Sequence, residues 1–156
     1  MKKFLSGFVA LILLLFMTLP AQAAVSSPPL SQISANPGYA GVSWSLATDS
    51  DELTIASASG NLWKINSTTA YVTASTQATQ IVDEVGGTMF LQKWVNNAWT
   101  NVTSRRFYNY NTDESSGAAA ITVESGYYYR LRTYHYADLG FDTVSRLTTT
   151  SSVFFN

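Results

Sequence analysis

The chain contains no cysteine, a single histidine (His135), only four prolines among 156 residues, and few charges, with Asp, Glu, Lys and Arg together making up 12%. Each shortage removes a class of function. Without cysteine there are no disulfides, iron–sulfur clusters, thiolate zinc sites or cysteine nucleophiles. One imidazole leaves little for proton transfer or for metal ligation by histidine. A formal charge of −1 gives no basic footprint for nucleic acid. Low charge does not make the chain disordered, because 46% of it is hydrophobic and 13% aromatic. Its length supports one domain with at most a short appendage.

The longest apolar run lies at the start. Lys2 and Lys3 precede ten uninterrupted apolar residues, Phe8 to Met17. Pro20 then breaks the run ahead of Ala21-Gln22-Ala23, an A-x-A site. This is the layout of a cleaved secretory signal, 1–23. An uncleaved anchor needs roughly 18–20 apolar residues, more than this run offers. Cleavage after Ala23 removes two of the nine basic residues, so the remainder carries about −3. No later stretch approaches a transmembrane segment, and the expected product is secreted, extracellular and without a membrane span. Small eukaryotic secreted domains lean on disulfides, so a cysteine-free exported chain points to a bacterial, Gram-positive setting. There the sequons Asn66-Ser67-Thr68 and Asn101-Val102-Thr103 carry no consequence.

The segment 24–52 holds Pro28, Pro29, Pro37 and the acidic group Asp49-Ser50-Asp51-Glu52, without Lys or Arg and without apolar periodicity. It reads as a flexible or loosely docked N-terminal segment. From residue 53 to 156 the texture is short β-rich runs between turn residues. Strands are expected over Thr69–Thr76, Thr88–Val95, Ala98 to about Phe107, Ala118–Glu124, Tyr127–Ala137 and Thr143–Phe155, the last broken near Thr149-Thr150. Gly86-Gly87, Asn96-Asn97, Ser125-Gly126 and Asp138-Leu139-Gly140 read as turns, and Asn109–Gly117 as a polar loop. No helical stripe is present after the signal. Seven or eight antiparallel strands make an all-β single sandwich the expected fold class.

The run Gly126-Tyr127-Tyr128-Tyr129-Arg130-Leu131-Arg132-Thr133-Tyr134-His135, with Gly140 and a Thr/Ser-rich last strand after it, resembles the final hairpin of fibronectin type III and immunoglobulin-like domains. The resemblance implies Tyr127 as a corner tyrosine, with Tyr129, Leu131 and Thr133 pointing inward. Thr133 departs from the small apolar residue usual there. A longer pattern, Leu91-Gln92-Lys93-Trp94, Asn97, Trp99 and Val102 with that hairpin, is similar to a group of small secreted Gram-positive proteins of unknown function, over about Gly60 to Phe155. It implies fold and export, and no activity.

Period-two alternation puts Tyr127, Tyr129, Leu131, Thr133 and His135 on one face of the longest strand and Tyr128, Arg130, Arg132, Tyr134 and Tyr136 on the other. The second set reads as a ligand platform, where tyrosine rings stack on sugars and arginines grip hydroxyls or carboxylates. The favoured reading from sequence is the plainer one, a solvated sheet face whose residues pair across strands, because outer sheet faces are commonly polar. Trp94 and Trp99 flank the Asn96-Asn97 turn and can pair across it; for these two and for Trp44 and Trp63, core or hairpin packing is the favoured reading and sugar stacking the alternative. Phe107-Tyr108-Asn109-Tyr110-Asn111, following Arg105-Arg106, adds Tyr108 and Tyr110 as ligand-binding candidates at a loop.

Catalytic signals are thin. A Ser-His-Asp arrangement would need His135, and no G-x-S-x-G elbow exists. The carboxylate pairs Asp83-Glu84 and Asp113-Glu114 lie in turn-like segments, where solvation is the default. Asp49-Ser50-Asp51-Glu52 lacks the glycine and terminal glutamate of an EF-hand loop and reads as an acidic linker rather than a calcium site. The expectation is a non-catalytic interaction module without metal or cofactor, directed at a cell-wall glycan or another surface protein. The alternatives are a self-assembling matrix protein, and then a secreted effector or small hydrolase.

Overall fold

The computed structural model describes residues 26–46 and 52–156. The expected signal segment and most of the acidic group at 49–52 lie outside the described residues. After a 3-10 turn at Leu30–Gln32 come seven strands: β1 (Tyr39–Ser45), β2 (Ile55–Asn66), β3 (Thr69–Val95), β4 (Ala98–Thr122), β5 (Tyr127–Asp138), β6 (Thr143–Thr149) and β7 (Val153–Phe155). All belong to one antiparallel sheet with the path β1-β2-β3-β5-β6, to which β4 adds on β3 and β7 on β5.

The spine is the β3–β4 hairpin, with strands of 27 and 25 residues. β4 runs along one side of β3 for its whole length. On the other side, β2 pairs with the first part of β3, up to Ala78, and β5 with the last part, Glu84 to Lys93. The β3–β4 register breaks between Gln77 and Val82, and Asn111 takes a left-handed φ of 52°. There the hairpin bends over. The β1–β2 half of the sheet comes to face the β5–β6 half, and a Cβ on Gly60 of β2 would lie 3.4 Å from the Thr133 hydroxyl of β5. The rim is fastened by Arg146 of β6, whose guanidinium sits 3.3 Å from the ring centre of Trp44 in β1.

The inward positions make the core. Leu62, Val72, Met89, Leu91, Phe107, Ile121, Tyr129, Leu131, Val153 and Phe155 form one buried cluster, and Ala78, Val82, Val85 and Ala137 a second, near the bend. Period-two alternation with one face covered is the physical reason the strands hold this register.

Several expectations change here. Gly86-Gly87 is no turn: both residues lie inside β3, and neither has a positive φ. A Cβ on Gly86 would fall 2.2 Å from the Phe107 carbonyl oxygen, and one on Gly87 would fall 2.7 Å from the Phe107 ring. The glycines supply space rather than backbone freedom, so that β4 and its phenylalanine can press against β3. Gly117 does the same from the other limb of the bend, 2.5 Å from Phe107 Cβ. Asn109–Gly117 is likewise strand, its polar character reflecting an edge position rather than a loop. Tyr39–Ser45, within the segment read as flexible or loosely docked, is a strand paired residue for residue with β2 from Tyr39↔Trp63 to Ser45↔Ser57.

Other expectations match the structure. Asn96 and Asn97 both have positive φ (52° and 60°), as a two-residue type I′ hairpin requires. Their flanking Trp94 and Trp99 meet edge-to-face at 5.1 Å. β6 and β7 are separate pieces, interrupted after Thr149. The corner tyrosine, however, is Tyr129 rather than Tyr127. Its hydroxyl donates to the Glu124 carbonyl (3.0 Å) and accepts the Glu124 N–H (3.1 Å). Burial pushes the Tyr129 phenol up to about 12. Tyr127 lies under Lys93, whose ammonium is 4.4 Å from its ring centre.

Two substitutions test this packing. Gly86→Ala forces a Cβ into backbone that has no flexible end to yield, and urea unfolding is expected to show a loss of roughly 3 kcal/mol. Thr133, 1% exposed, has a hydroxyl without a hydrogen-bond partner among the described residues. Thr133→Val keeps the shape and removes that polar atom, so a gain of about 1 kcal/mol is expected in the same assay.

Candidate functional site

Outward positions of β4, β3, β5 and β6 align in rungs across the sheet. Tyr110–Glu84–Asp138–Thr143 is followed by Tyr108–Gly86–Tyr136–Ser145, Arg106–Thr88–Tyr134–Leu147, Ser104–Phe90–Arg132–Thr149, Asn101–Gln92–Arg130 and Trp99–Trp94. A cavity of about 330 Å³ lies at the middle of this face, lined by Thr88, Phe90, Asn101, Arg132, Tyr134 and Leu147.

The candidates named from sequence divide. Arg130, Arg132 and Tyr134 come together on this face, with Arg132 and Tyr134 exposed. Among the described residues Arg132 has no ion-pair or hydrogen-bond partner. Arg130 is half-buried, lies 4.3 Å from the ring centre of Trp99 and donates Nε–H to Gln92 Oε1 at 2.8 Å. Burial, and then the charge of Arg132, lower its pKa from the ordinary arginine value.

Tyr136 belongs to the structure of the face rather than to its exposed surface. It is 8% exposed, and its hydroxyl donates to Glu84 and accepts from Arg106 Nη2. Burial raises the Tyr136 pKa, and its hydrogen bond to Glu84 adds to the shift. Arg106 also pairs with Glu84, so that carboxylate is already neutralised. Tyr108 and Tyr110 are exposed, stacked edge-to-face at 5.4 Å, and Arg106 lies 4.7 Å from the Tyr108 ring centre. They form the far end of the same face, in β4 and not in a loop. Tyr128 is set apart. It packs on Phe154 at 4.8 Å and lines a separate depression of about 240 Å³ beneath Ile33–Pro37.

Phe90, Thr88, Asn101 and Leu147 were not singled out from sequence. Phe90 alternates with Met89 and Leu91, which marks it as outward. Leu147 alternates with Arg146 and Thr148 in the same way. What placed them beside Arg132 and Tyr134 is the cross-strand register, which no local pattern contains.

His135 sits on the opposite, interior face with no exposure. Thr76 Oγ1 is 2.7 Å from its Nδ1 and also donates to the Gly86 carbonyl at 3.0 Å. A hydroxyl has one proton to give, so Thr76 accepts at Nδ1, which therefore carries the hydrogen. Nε2 is then the acceptor of the Thr148 hydroxyl at 2.8 Å. The imidazole is neutral, fully bonded and shielded from solvent, a structural cross-link rather than an acid–base group. Asp83-Glu84 and Asp113-Glu114 lie within β3 and β4 rather than in turns. Among the described residues no group of three or more His, Cys, Asp or Glu could hold a metal ion, and no helix is long and apolar enough to cross a membrane.

Comparison with protein families, curated proteins and solved structures finds no match to this chain.

Burial lowers the His135 pKa from 6.5 to about 4. The unfolded chain therefore binds this proton first as pH falls, and the stabilisation present above pH 6.5 is lost between 6.5 and 4. Unfolding free energy should drop by about 2 kcal/mol from pH 7.5 to pH 5, above the main carboxylate range. A His135→Leu variant should lack that slope.

Proposed function

We propose that the chain is an exported, non-catalytic interaction module that acts at or near a bacterial cell surface and uses the outward face of β4, β3, β5 and β6 as its binding platform. The observation that carries this reading is the clustering of unpaired Arg132 with exposed Tyr134 and Leu147 and half-buried Phe90 around one cavity. A purely solvated sheet face would pair such groups across strands, as Arg106 and Glu84 do on the same face. The reading takes 1–23 as a cleaved signal, on the strength of Lys2-Lys3, the apolar run and Ala21-Gln22-Ala23. For the fold it takes a fibronectin type III or immunoglobulin-like sandwich, supported by the facing halves of the curled sheet and by the tyrosine corner at Tyr129. A cell-wall glycan is the favoured partner, since ring faces flanked by hydrogen-bonding side chains suit sugars.

A second reading, self-assembly into an extracellular matrix, rests on a different observation. β4 pairs on one side only, leaving an edge of 25 residues, roughly 80 Å of strand. Arg105, Arg106, Asp113 and Glu114 and the displaced Val102 blunt that edge, which favours the first reading.

Co-sedimentation with peptidoglycan, chitin and cellulose tests both. Saturable pelleting with at least one glycan is expected, weakened about five- to tenfold by Tyr134→Ala, a surface change that leaves the fold intact. No pelleting with any glycan would overturn the glycan reading. Pelleting in the tubes without glycan would support self-assembly in its place.

A further inference from the structure

We infer that the central cavity of this face selects carboxylated polysaccharides, with Arg132 holding the carboxylate. The inference rests on the proposed platform and adds the charge class of its ligand.

The chemistry follows from the direction of one hydrogen-bond chain. A guanidinium can only donate. Arg130 Nε–H therefore fixes Gln92 Oε1 as acceptor, which turns Gln92 Nε2 toward Asn101. Gln92 Nε2 donates to Asn101 Oδ1 at 2.8 Å. The ladder thus engages both amide oxygens as acceptors and leaves the Asn101 amide nitrogen, a pure donor, at the cavity wall without a partner among the described residues. Arg132 lines the same cavity with every donor unused. Two rungs beyond Thr88 and Tyr134 lie the nearest acids along the face: Glu84 is occupied by Arg106 and Tyr136, and Asp138 accepts from the Gly140 N–H and the Thr143 hydroxyl. Among the described residues, then, the polar wall between Asn101 and Arg132 offers donors backed by positive charge and no unpaired carboxylate. An acceptor-rich anion complements it. The planar fork of arginine matches a carboxylate with two parallel bonds.

Ring faces and length specify the rest of the ligand. Phe90, Tyr134 and Leu147 give the cavity apolar walls, with Tyr134 44% and Leu147 49% exposed. Outward residues recur about every 6.8 Å along a strand. From the Trp94–Trp99 rung to the Tyr110 rung the face carries an aromatic or guanidinium group at every step, over roughly 34 Å. A track of that length suits a linear chain of sugar rings better than one small acid.

The test uses the full chain and two soluble probes on the same sugar backbone, polygalacturonate and its fully methyl-esterified form, in which each carboxylate is replaced by a neutral methyl ester. Titration should show binding of the acid polymer about tenfold or more tighter than of the ester. Arg132→Ala should remove that preference. Arg105→Ala makes the same change in net charge from the opposite face, where its backbone partner is Met89, and should leave binding as it is. Equal binding of the two polymers, or equal losses from the two arginine variants, would overturn the inference. Retained pelleting with an insoluble glycan would in that case leave the platform reading standing. Loss of binding to soluble and insoluble glycans alike would remove both.

Discussion

The bend of the β3–β4 hairpin around Phe107 is the constraint on which the rest of the structure depends. A two-stranded ribbon of this length would bury nothing by itself. By folding over between Gln77 and Val82 it sets its own two limbs face to face. Phe107 fills the corner, and it fits because three positions around it have no side chain. Gly86 admits the Phe107 backbone, while Gly87 and Gly117 admit the side chain. β2 then has a limb to pair with on one layer and β5 on the other, and the core residues between them acquire a partner surface.

Folding a sheet onto itself in this way brings polar residues into the interior, and the chain meets their hydrogen-bond demand locally. His135 of β5 is clamped by Thr76 of β3 and by Thr148 of the neighbouring β6, so the imidazole ties β3 to β6, two strands that share no backbone ladder. An unpaired imidazole at that depth would carry the full desolvation cost of its nitrogens. The same strand therefore presents a saturated, neutral polar pair to the inside. Outside it presents arginines whose donors are partly unspent, and the contrast between the two faces of β5 is where the candidate binding chemistry arises.

Much of this was legible in the residues. The turn at Asn96-Asn97, the tryptophan pair flanking it, the turns at Gly126 and Gly140, the interruption after Thr149 and the two faces of β5 follow from φ preferences and from period two, both local properties. The misread parts share one cause. Gly86-Gly87 looks like a turn because glycine tolerates any φ, yet here it answers to the side chain of a residue twenty positions away. Asn109–Gly117 looks like a loop because an edge strand exposed to water needs no apolar stripe. The early proline-containing segment hid β1 because Tyr39–Ser45 is a rim strand, exposed or half-buried at all but one position, whose pattern gains meaning only from its pairing with β2.

What the sequence by itself determined is the all-β character, the turns at Asn96-Asn97, Gly126 and Gly140 and the two faces of β5, since backbone sterics and side-chain alternation act over a few residues. What only the tertiary structure decided is which outward residues became neighbours. Arg132 and Tyr134 in β5 meet Phe90 and Thr88 in β3, Asn101 in β4 and Leu147 in β6 because the long hairpin bends where it does and the strands pair in one register. A shift of a single residue in that pairing would turn the same side chains into the core.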